Sequence, residues 1–341
     1  MKEAFDLITF DNDHSEILSV FSGVEFHPRF PLFQQALSRG SVWVGLRSIS
    51  TSKLIGFIAA TQFTLNYEKQ IVGCVEVHSL VLHPSFRGKY LAPILIKQTE
   101  KEVQRLNIAQ GFFTTLTQLP IKSLAHVSYY HRILDPKFLR FTPFFTPKPF
   151  QTISQFSDFY RIEAPLNAAC PHLRNYSSDS DADRVFVLLN NYLSSFKIHR
   201  VFQSVEEMEE IIRPIHPDQF AFVLIGENEQ LIGFIYFHLL FASIQHFARP
   251  TSHLVSANLG YLAVDESSDL QQLQQLLHLA LWELQKQKVD IVICQNVLFP
   301  CGSEHLFSTE KFTSSETTLF YHIFNWHFTP VQASDIGLTF C

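Results

Sequence analysis

Two stretches of the chain carry the same order of hydrophobic patterns. From Leu54 the run LIGFIAATQF is almost continuously apolar, as a buried strand would be, and VGCVEVHSLVLHP follows as a second strand-like run. The helical LAPILIKQTEKEVQRL and the apolar GFFTTLTQL come next. From Leu231 the letters LIGFI return unchanged, and SANLGYLAVD, LQQLQQLLHLALWELQKQ and VDIVICQNVL repeat the order strand, strand, helix, strand. In the second helix Leu273, Leu276, Leu277 and Ala280 stand at i, i+3, i+4 and i+7, which puts them on one face. Between the copies the prolines of FTPFFTPKPFQT interrupt regular structure, and the polar NYSSDSDAD suits a linker and a helix cap. The pattern predicts an α/β chain of two tandem, pseudo-symmetric halves, residues 1–162 and 163–341, built on mixed β-sheet flanked by helices.

Composition narrows the class. With 46% apolar and 17% charged residues the chain is globular, and its 34 Phe against 12 Gly indicate an aromatic-rich core. A net charge of −6 with scattered basic residues gives no footprint for nucleic acid and no basic amphipathic stretch for a membrane surface. No run reaches membrane-spanning length and no signal peptide is evident, so a cytoplasmic protein is expected. The five cysteines form no C-x-x-C pair, which argues against a structural zinc site and a disulfide framework. Reduced thiols and no metal are expected.

The halves differ in one chemical respect. In the first, the second strand runs into HPSFRGKYLAP, where Arg87, Gly88 and Lys89 precede a helix. A glycine that lets backbone N–H groups approach, two cations and the positive end of a helix make a place for phosphate. The corresponding turn of the second half reads VDESSDL, and its Asp265, Glu266 and Asp269 would repel an anion. A phosphate-bearing ligand therefore belongs to the first half.

Strand, Arg-Gly-Lys turn and helix together resemble the pyrophosphate loop of acyl-CoA-dependent N-acyltransferases of the GNAT superfamily. The tandem arrangement narrows this further. From about Phe30 to Cys341 the chain resembles the glycylpeptide N-tetradecanoyltransferases, or N-myristoyltransferases, in the blocks SKLIGFIAA, FRGKYLAPILIK, SYYHRILDPKFL, FKIHRVFQSVEEMEEIIRP and EKFTSSETTLFYHIFNWHFTPVQASDIGLTFC. The resemblance implies a monomeric double-GNAT fold. Its first half would hold an acyl-CoA such as myristoyl-CoA as co-substrate, and its second half an N-terminal glycine peptide, with no permanently bound cofactor.

The resemblance also implies roles for particular residues. Acylating an amine from a thioester needs a deprotonated amine, a stabilised oxyanion and the two held in reacting geometry. The family's E-x-N-F-L-C-x-H stretch, whose backbone N–H groups serve the oxyanion, reads here Glu76, Val77, His78, Ser79, Leu80, Val81, Leu82, His83. Ser79 and Leu80 are the implied donors. Leu80, Val81, Leu82, Arg87, Gly88, Lys89, Tyr90, Leu91 and Ala92 are the implied acyl-CoA contacts. Thr114 matches a threonine that positions the amine, and Tyr129 and His131 fall in a block that shapes the peptide groove. The implied base is the terminal carboxylate of Cys341, at the end of the apolar run SDIGLTFC. A free α-carboxylate titrates at about 3.5 and an α-ammonium at about 7.8, so burial must bring the two together.

The sequence departs from the family in three places. His78 stands where the family has Asn, and an imidazole titrating at about 6.5 can take a proton that an amide cannot. The glycine-rich K-F-G-x-G-D-G appears as Lys311, Phe312, Thr313, Ser314, Ser315, Glu316, Thr317, with its glycines gone. The aromatic segment that in the family clamps the CoA ahead of the fold is not expected here. Two alternatives stay open: an N-acyltransferase with another acyl chain or a lysine acceptor, and a non-catalytic binder of acyl-CoA or glycine peptides.

Overall fold

The computed structural model describes residues 5–9, 42–136, 151–165, 171–212, 219–243, 253–265 and 269–340. Its contacts divide the chain into two compact units. The first takes residues 1–65, 70–124 and 320–330; the second takes 66–69, 125–319 and 331–341. Compactness thus divides the chain differently from the repeat, whose boundary was drawn at residue 163.

In the first unit, strands β1 (Phe5–Thr9), β2 (Val42–Ser48), β3 (Leu54–Tyr67), β4 (Gln70–Leu82) and β5 (Gln110–Thr115) lie side by side in that order. Helix α1 (Ala92–Arg105) is the crossover that makes β4 and β5 parallel, and the stretch Phe320–Phe324 pairs antiparallel to the far side of β5. Leu91 at the start of α1 and Leu95 within it are buried against Val44, Leu46, Ile55 and Ile58.

The second unit repeats the plan. Its elements are β6 (Ala125–Ile133), α2 (Ile153–Phe159), β7 (His172–Asn175), α3 (Ser178–Leu193), β8 (Ile198–Val201), α4 (Val205–Ile212), β9 (Gln219–Ile225), β10 (Leu231–Ser243), β11 (His253–Val264), α5 (Leu270–Lys286), β12 (Ile291–Gln295), α6 (Glu304–Thr309), β13 (Thr313–Phe324) and β14 (Ile336–Gly337). β9, β10 and β11 pair antiparallel, α5 crosses over to a parallel β12, and β6 lies antiparallel beyond it. The predicted face of α5 is the buried one, with Leu273, Leu276, Leu277 and Ala280 joined by Leu281 and Leu284.

The repeated LIGFI encodes a bulge. In β3 the register steps from Leu46↔Gly56 to Arg47↔Leu54, leaving Ile55 without an opposite residue. In β10 it steps from Gly233↔Leu224 to Leu231↔Ile225, leaving Ile232 in the same condition. The freed carbonyls have matching partners: His83 N–H donates to Ile55 O at 2.8 Å, and Asp265 N–H to Ile232 O at 2.9 Å. Each donor is the first residue after the neighbouring strand, so the bulge anchors the start of the loop that leads to the crossover helix. Glycine follows the bulge because the backbones are close. A Cβ on Gly56 would meet Leu82 Cδ2 at 2.5 Å and Val81 O at 3.3 Å.

Candidate functional site: an uncapped helix start beside a broken strand

The anchored loop of the first unit holds the Arg-Gly-Lys turn. After His83 comes a 3-10 turn, Pro84–Phe86, in which His83 Nδ1 accepts from Ser85 N–H at 3.3 Å. Arg87 turns its Nε back to Leu82 O at 3.2 Å, and Lys89 Nζ lies 4.5 Å from the Phe86 ring centroid. Gly88 takes φ +75 and Tyr90 φ +57, and Tyr90 is 86% exposed. The helix then begins at Ala92 with no side-chain cap and no acidic residue in its first turn. A missing cap costs about 1 kcal/mol, whereas burying one leucine contributes about 1.5–3 kcal/mol. Leu91 and Leu95 therefore hold α1 in place while its positive end stays available to an anion.

The corresponding helix start of the second unit is already satisfied by a side chain. Asp269 caps α5, its Oδ1 accepting from the N–H groups of Gln271 and Gln272, both at 3.0 Å. Asp265 places a second carboxylate at the loop's start, accepting from Gln230 Nε2 at 3.3 Å; Glu266 lies outside the described residues.

Just before the Arg-Gly-Lys loop, the alternation along β4 is broken at one residue. Ser79 adopts φ +57, a left-handed conformation costing about 1–3 kcal/mol that persists only where the surroundings impose it. A left-handed residue inside a strand breaks the alternation of its N–H groups. The side chains around the break are tied together: His78 Nδ1 is 2.8 Å from Ser79 Oγ, and His78 Nε2 is 2.9 Å from Thr61 Oγ1 on β3. Leu80, next along, is 43% exposed, and Val81 and Leu82 are partly buried. The sequence reading missed Thr61. Nothing in its neighbourhood marks it out, because its partner stands seventeen residues away.

Thr114 lies in the same unit, on β5 opposite Tyr321 of β13. The parallel pairing of β4 with β5 covers Cys74–Glu76 against Gln110–Phe112, so it stops short of both His78 and Thr114. Past that point the facing backbone groups of the two strands are not spent on each other. The neighbouring Thr115 Oγ1 lies 3.1 Å from His322 Nε2, and the His322 ring stacks on Phe113 at 4.9 Å.

In the second unit β11 also breaks, at Gly260, where the register slips between Tyr236↔Tyr261 and Phe237↔Leu259. This break is occupied by the chain's own end: Thr339 Oγ1 donates to Gly260 O at 2.6 Å, and Gln295 Nε2 donates to Phe340 O at 2.9 Å. Ile336, Leu338 and Phe340 are buried, and Ile336 pairs with Ile198 of β8. Cys341 itself lies outside the described residues. Tyr129 and His131 sit on β6, paired with Gln295 and Ile293; burial pushes the His131 imidazole down, partly offset by a hydrogen bond to the Thr313 backbone. From Thr313 the stretch without glycines forms the start of β13.

A polar cavity of about 560 Å³ in the second unit contains none of the proposed site residues. It is lined by Arg132, His278 and Glu310 among others. Its His278–Glu310 pair at 3.0 Å holds the imidazole above its usual range, chiefly through that hydrogen bond, and burial lowers the Arg132 guanidinium to about 10. Among the described residues no helix is long and apolar enough to cross a membrane, and no three His, Cys, Asp or Glu side chains are grouped to hold a metal ion.

Comparison with known proteins adds a third line. Residues 33–125 match the family described as "Myristoyl-CoA:protein N-myristoyltransferase, N-terminal domain", and residues 142–337 match its C-terminal domain. A probable glycylpeptide N-tetradecanoyltransferase of Caenorhabditis elegans is 28% identical over 295 residues, covering 86% of this chain and 63% of that protein. A glycylpeptide N-tetradecanoyltransferase of Plasmodium falciparum is 27% identical over 296 residues, covering 86% of this chain and 68% of that protein. The chain thus spans a little under two thirds of the length of the first relative and a little over two thirds of the second. A crystal structure of Saccharomyces cerevisiae N-myristoyltransferase with bound myristoyl-CoA superposes with a TM-score of 0.87 at 22% identity, covering 99% of this chain and 89% of that one.

Proposed function

Because the chain belongs to the myristoyl-CoA:protein N-myristoyltransferase family, we propose that it transfers a tetradecanoyl group from its CoA thioester to the N-terminal glycine amine of a peptide or protein. The observation that carries this reading is the contrast between the two loops. In the first unit an Arg-Gly-Lys turn runs into an uncapped helix, beside a strand broken at Ser79. In the second the helix is capped by Asp269 and the break at Gly260 is filled by Thr339. Among the described residues, therefore, it is the first unit's loop that suits a CoA thioester.

In this reading Arg87, Gly88, Lys89, Tyr90, Leu91 and Ala92 receive the pyrophosphate, with the charges and the α1 dipole acting on the same anion. The thioester carbonyl lies against the break, where the N–H groups of Ser79 and Leu80 stabilise the oxygen as it becomes an oxyanion. Leu80, Val81 and Leu82 line the path of the acyl-CoA. The glycine nitrogen attacks the carbonyl carbon, the C–S bond breaks and CoA leaves as its thiol. Thr114 and His78 position the amine, and the Cys341 carboxylate takes its proton. The hydrogen bonds around His78 favour a second reading, in which the imidazole is itself the base, since its ring is held in one orientation by Thr61 and Ser79. The thiols of Cys294 and Cys301, which form no disulfide, suit a reducing compartment such as the cytoplasm.

The test is intact-mass analysis of glycine-initiated and glycine-blocked peptides incubated with the protein and acyl-CoAs of several chain lengths. Transfer of the tetradecanoyl group to the free glycine alone supports the reading. A peptide left unmodified by every acyl-CoA would leave the protein a binder.

A further inference from the structure

We propose that Ser79 is an acyl-accepting nucleophile, so that the protein also hydrolyses acyl-CoA when no peptide is present. The inference rests on the reading that the acyl thioester lies at the broken strand. Four observations converge on Ser79. Its Oγ lies 2.8 Å from His78 Nδ1, within reach of a base. The other ring nitrogen, Nε2, lies 2.9 Å from Thr61 Oγ1, so the base is itself oriented by a third group. Its φ of +57 is the strained left-handed geometry that lifts a nucleophilic serine out of a strand. It is also only partly buried, and Leu80 beside it is exposed, so a substrate can reach it.

Backbone and side chain would act on one carbonyl. In serine acyl transfer the nucleophile's own N–H is commonly one of the oxyanion donors, and Ser79 N–H is one of the two donors assigned above. For His78 to take the Ser79 proton, Nδ1 must be the bare nitrogen. Nε2 then carries the hydrogen and donates it to Thr61 Oγ1, which makes Thr61 a positioning residue that holds the ring in that orientation. Ser79 Oγ attacks the thioester carbon while its proton passes to Nδ1. The C–S bond breaks, the CoA sulfur takes that proton from His78, and an ester on Ser79 remains. Water then attacks the ester carbonyl as His78 accepts its proton. The ester C–O bond breaks, Oγ regains the proton, and the fatty acid departs. A histidine beside a serine is needed for this sequence of transfers, and both replace residues of another kind in the family's stretch.

The experiment measures CoA thiol release from tetradecanoyl-CoA without peptide, the mass of the Ser79-containing fragment after acid quench, and acyl-CoA binding by calorimetry on the full chain. The expected result is peptide-independent thiol release that falls at least about a hundredfold in Ser79→Ala and in His78→Asn. One acyl group should appear on the Ser79 fragment, and Ser79→Cys should hold the acyl group as a thioester. Thr61→Val should slow release and Thr61→Ser should restore it, a rescue that a packing role for the threonine methyl would not give. Wild-type protein that binds acyl-CoA but releases no thiol without peptide overturns the inference and leaves the acyltransferase reading standing. Thiol release at the wild-type rate from Ser79→Ala that still binds acyl-CoA also overturns it, since water would then attack directly. A wild-type protein that binds no acyl-CoA removes the placement of the thioester and this inference with it.

Discussion

Replacing Gly56 with alanine tests whether the bulge of the first LIGFI holds the phosphate loop in place. The added Cβ would stand 2.5 Å from Leu82 Cδ2, 3.2 Å from Leu95 Cδ1 and 3.3 Å from Val81 O. Carbon atoms pack best at about 3.5–4.0 Å, so the Leu82 methyl must retreat by about 1 Å. Leu82 packs against the cluster of Val44, Leu46, Ile55 and Ile58, which leaves it little room. Overpacking of this kind costs about 1–3 kcal/mol, and alanine recovers about 0.5–1 kcal/mol of glycine's excess chain entropy. The net loss should be up to about 2.5 kcal/mol. Gly73, on the same strand as Leu82, is the control: a Cβ there meets nothing within 4 Å, so Gly73→Ala should stabilise by about 0.4–1 kcal/mol. Urea unfolding should therefore move the midpoint in opposite directions for the two variants. The His83 N–H to Ile55 O bond sits beside the strained contact, so the same distortion should reach the loop and weaken acyl-CoA binding up to about tenfold in Gly56→Ala alone. A Gly56→Ala protein as stable as wild type, with unchanged calorimetric affinity, would refute the account of the bulge as the loop's anchor.

Three further outcomes are expected. Reversing Arg87 and Lys89 to Glu should weaken acyl-CoA binding at least about tenfold and flatten its salt dependence, whereas Asp265→Lys should leave affinity as it was, both read by calorimetry. Adding one or two residues after Cys341 should lower glycine-peptide acylation about a hundredfold or more while Cys341→Leu retains most of it, because a misplacement of about 1 Å already costs that much; steady-state rates check this, and an extended protein at the wild-type rate would end the terminal-carboxylate assignment. Burial lifts Asp290 to about 6, with Asp135 adding to the rise, although Val255 N–H donates to it at 2.7 Å. Its folded value lies above the unfolded one of about 3.9, so the fold is favoured while the group is protonated and loses stability as pH rises through about 6. Asp290→Asn, which keeps an acceptor for Val255, should therefore raise the unfolding free energy at pH 7, by less than about 3 kcal/mol because solvent screens this partly exposed group, and give little gain at pH 4; urea unfolding at the two pH values checks this.

Local signals were enough for the elements and their repetition. The 3.6-residue spacing of Leu273, Leu276, Leu277 and Ala280 specifies a helix face because those side chains meet one core whatever surrounds them. Arg87, Gly88 and Lys89 before an apolar helix announce a cationic turn because their chemistry and their neighbours lie within one short stretch. The repeated L-I-G was legible as a repeat, but not what its glycine approaches. Tertiary structure alone determined that Ile55 and Ile232 are bulged, since a bulge is a mismatch between two strands and has no meaning on either one. The same holds for Ser79, whose left-handed turn inside a β-rich run runs against its local preference and is kept only where surrounding contacts outweigh a cost of about 1–3 kcal/mol. It holds again for Thr61, an ordinary strand residue until β4 brings His78 to within 2.9 Å. And it holds for the chain's end, whose apolar letters foretold burial but not that Thr339 would fill the break at Gly260, because a hydrogen bond spanning that much chain is decided by how strands register and not by either sequence alone.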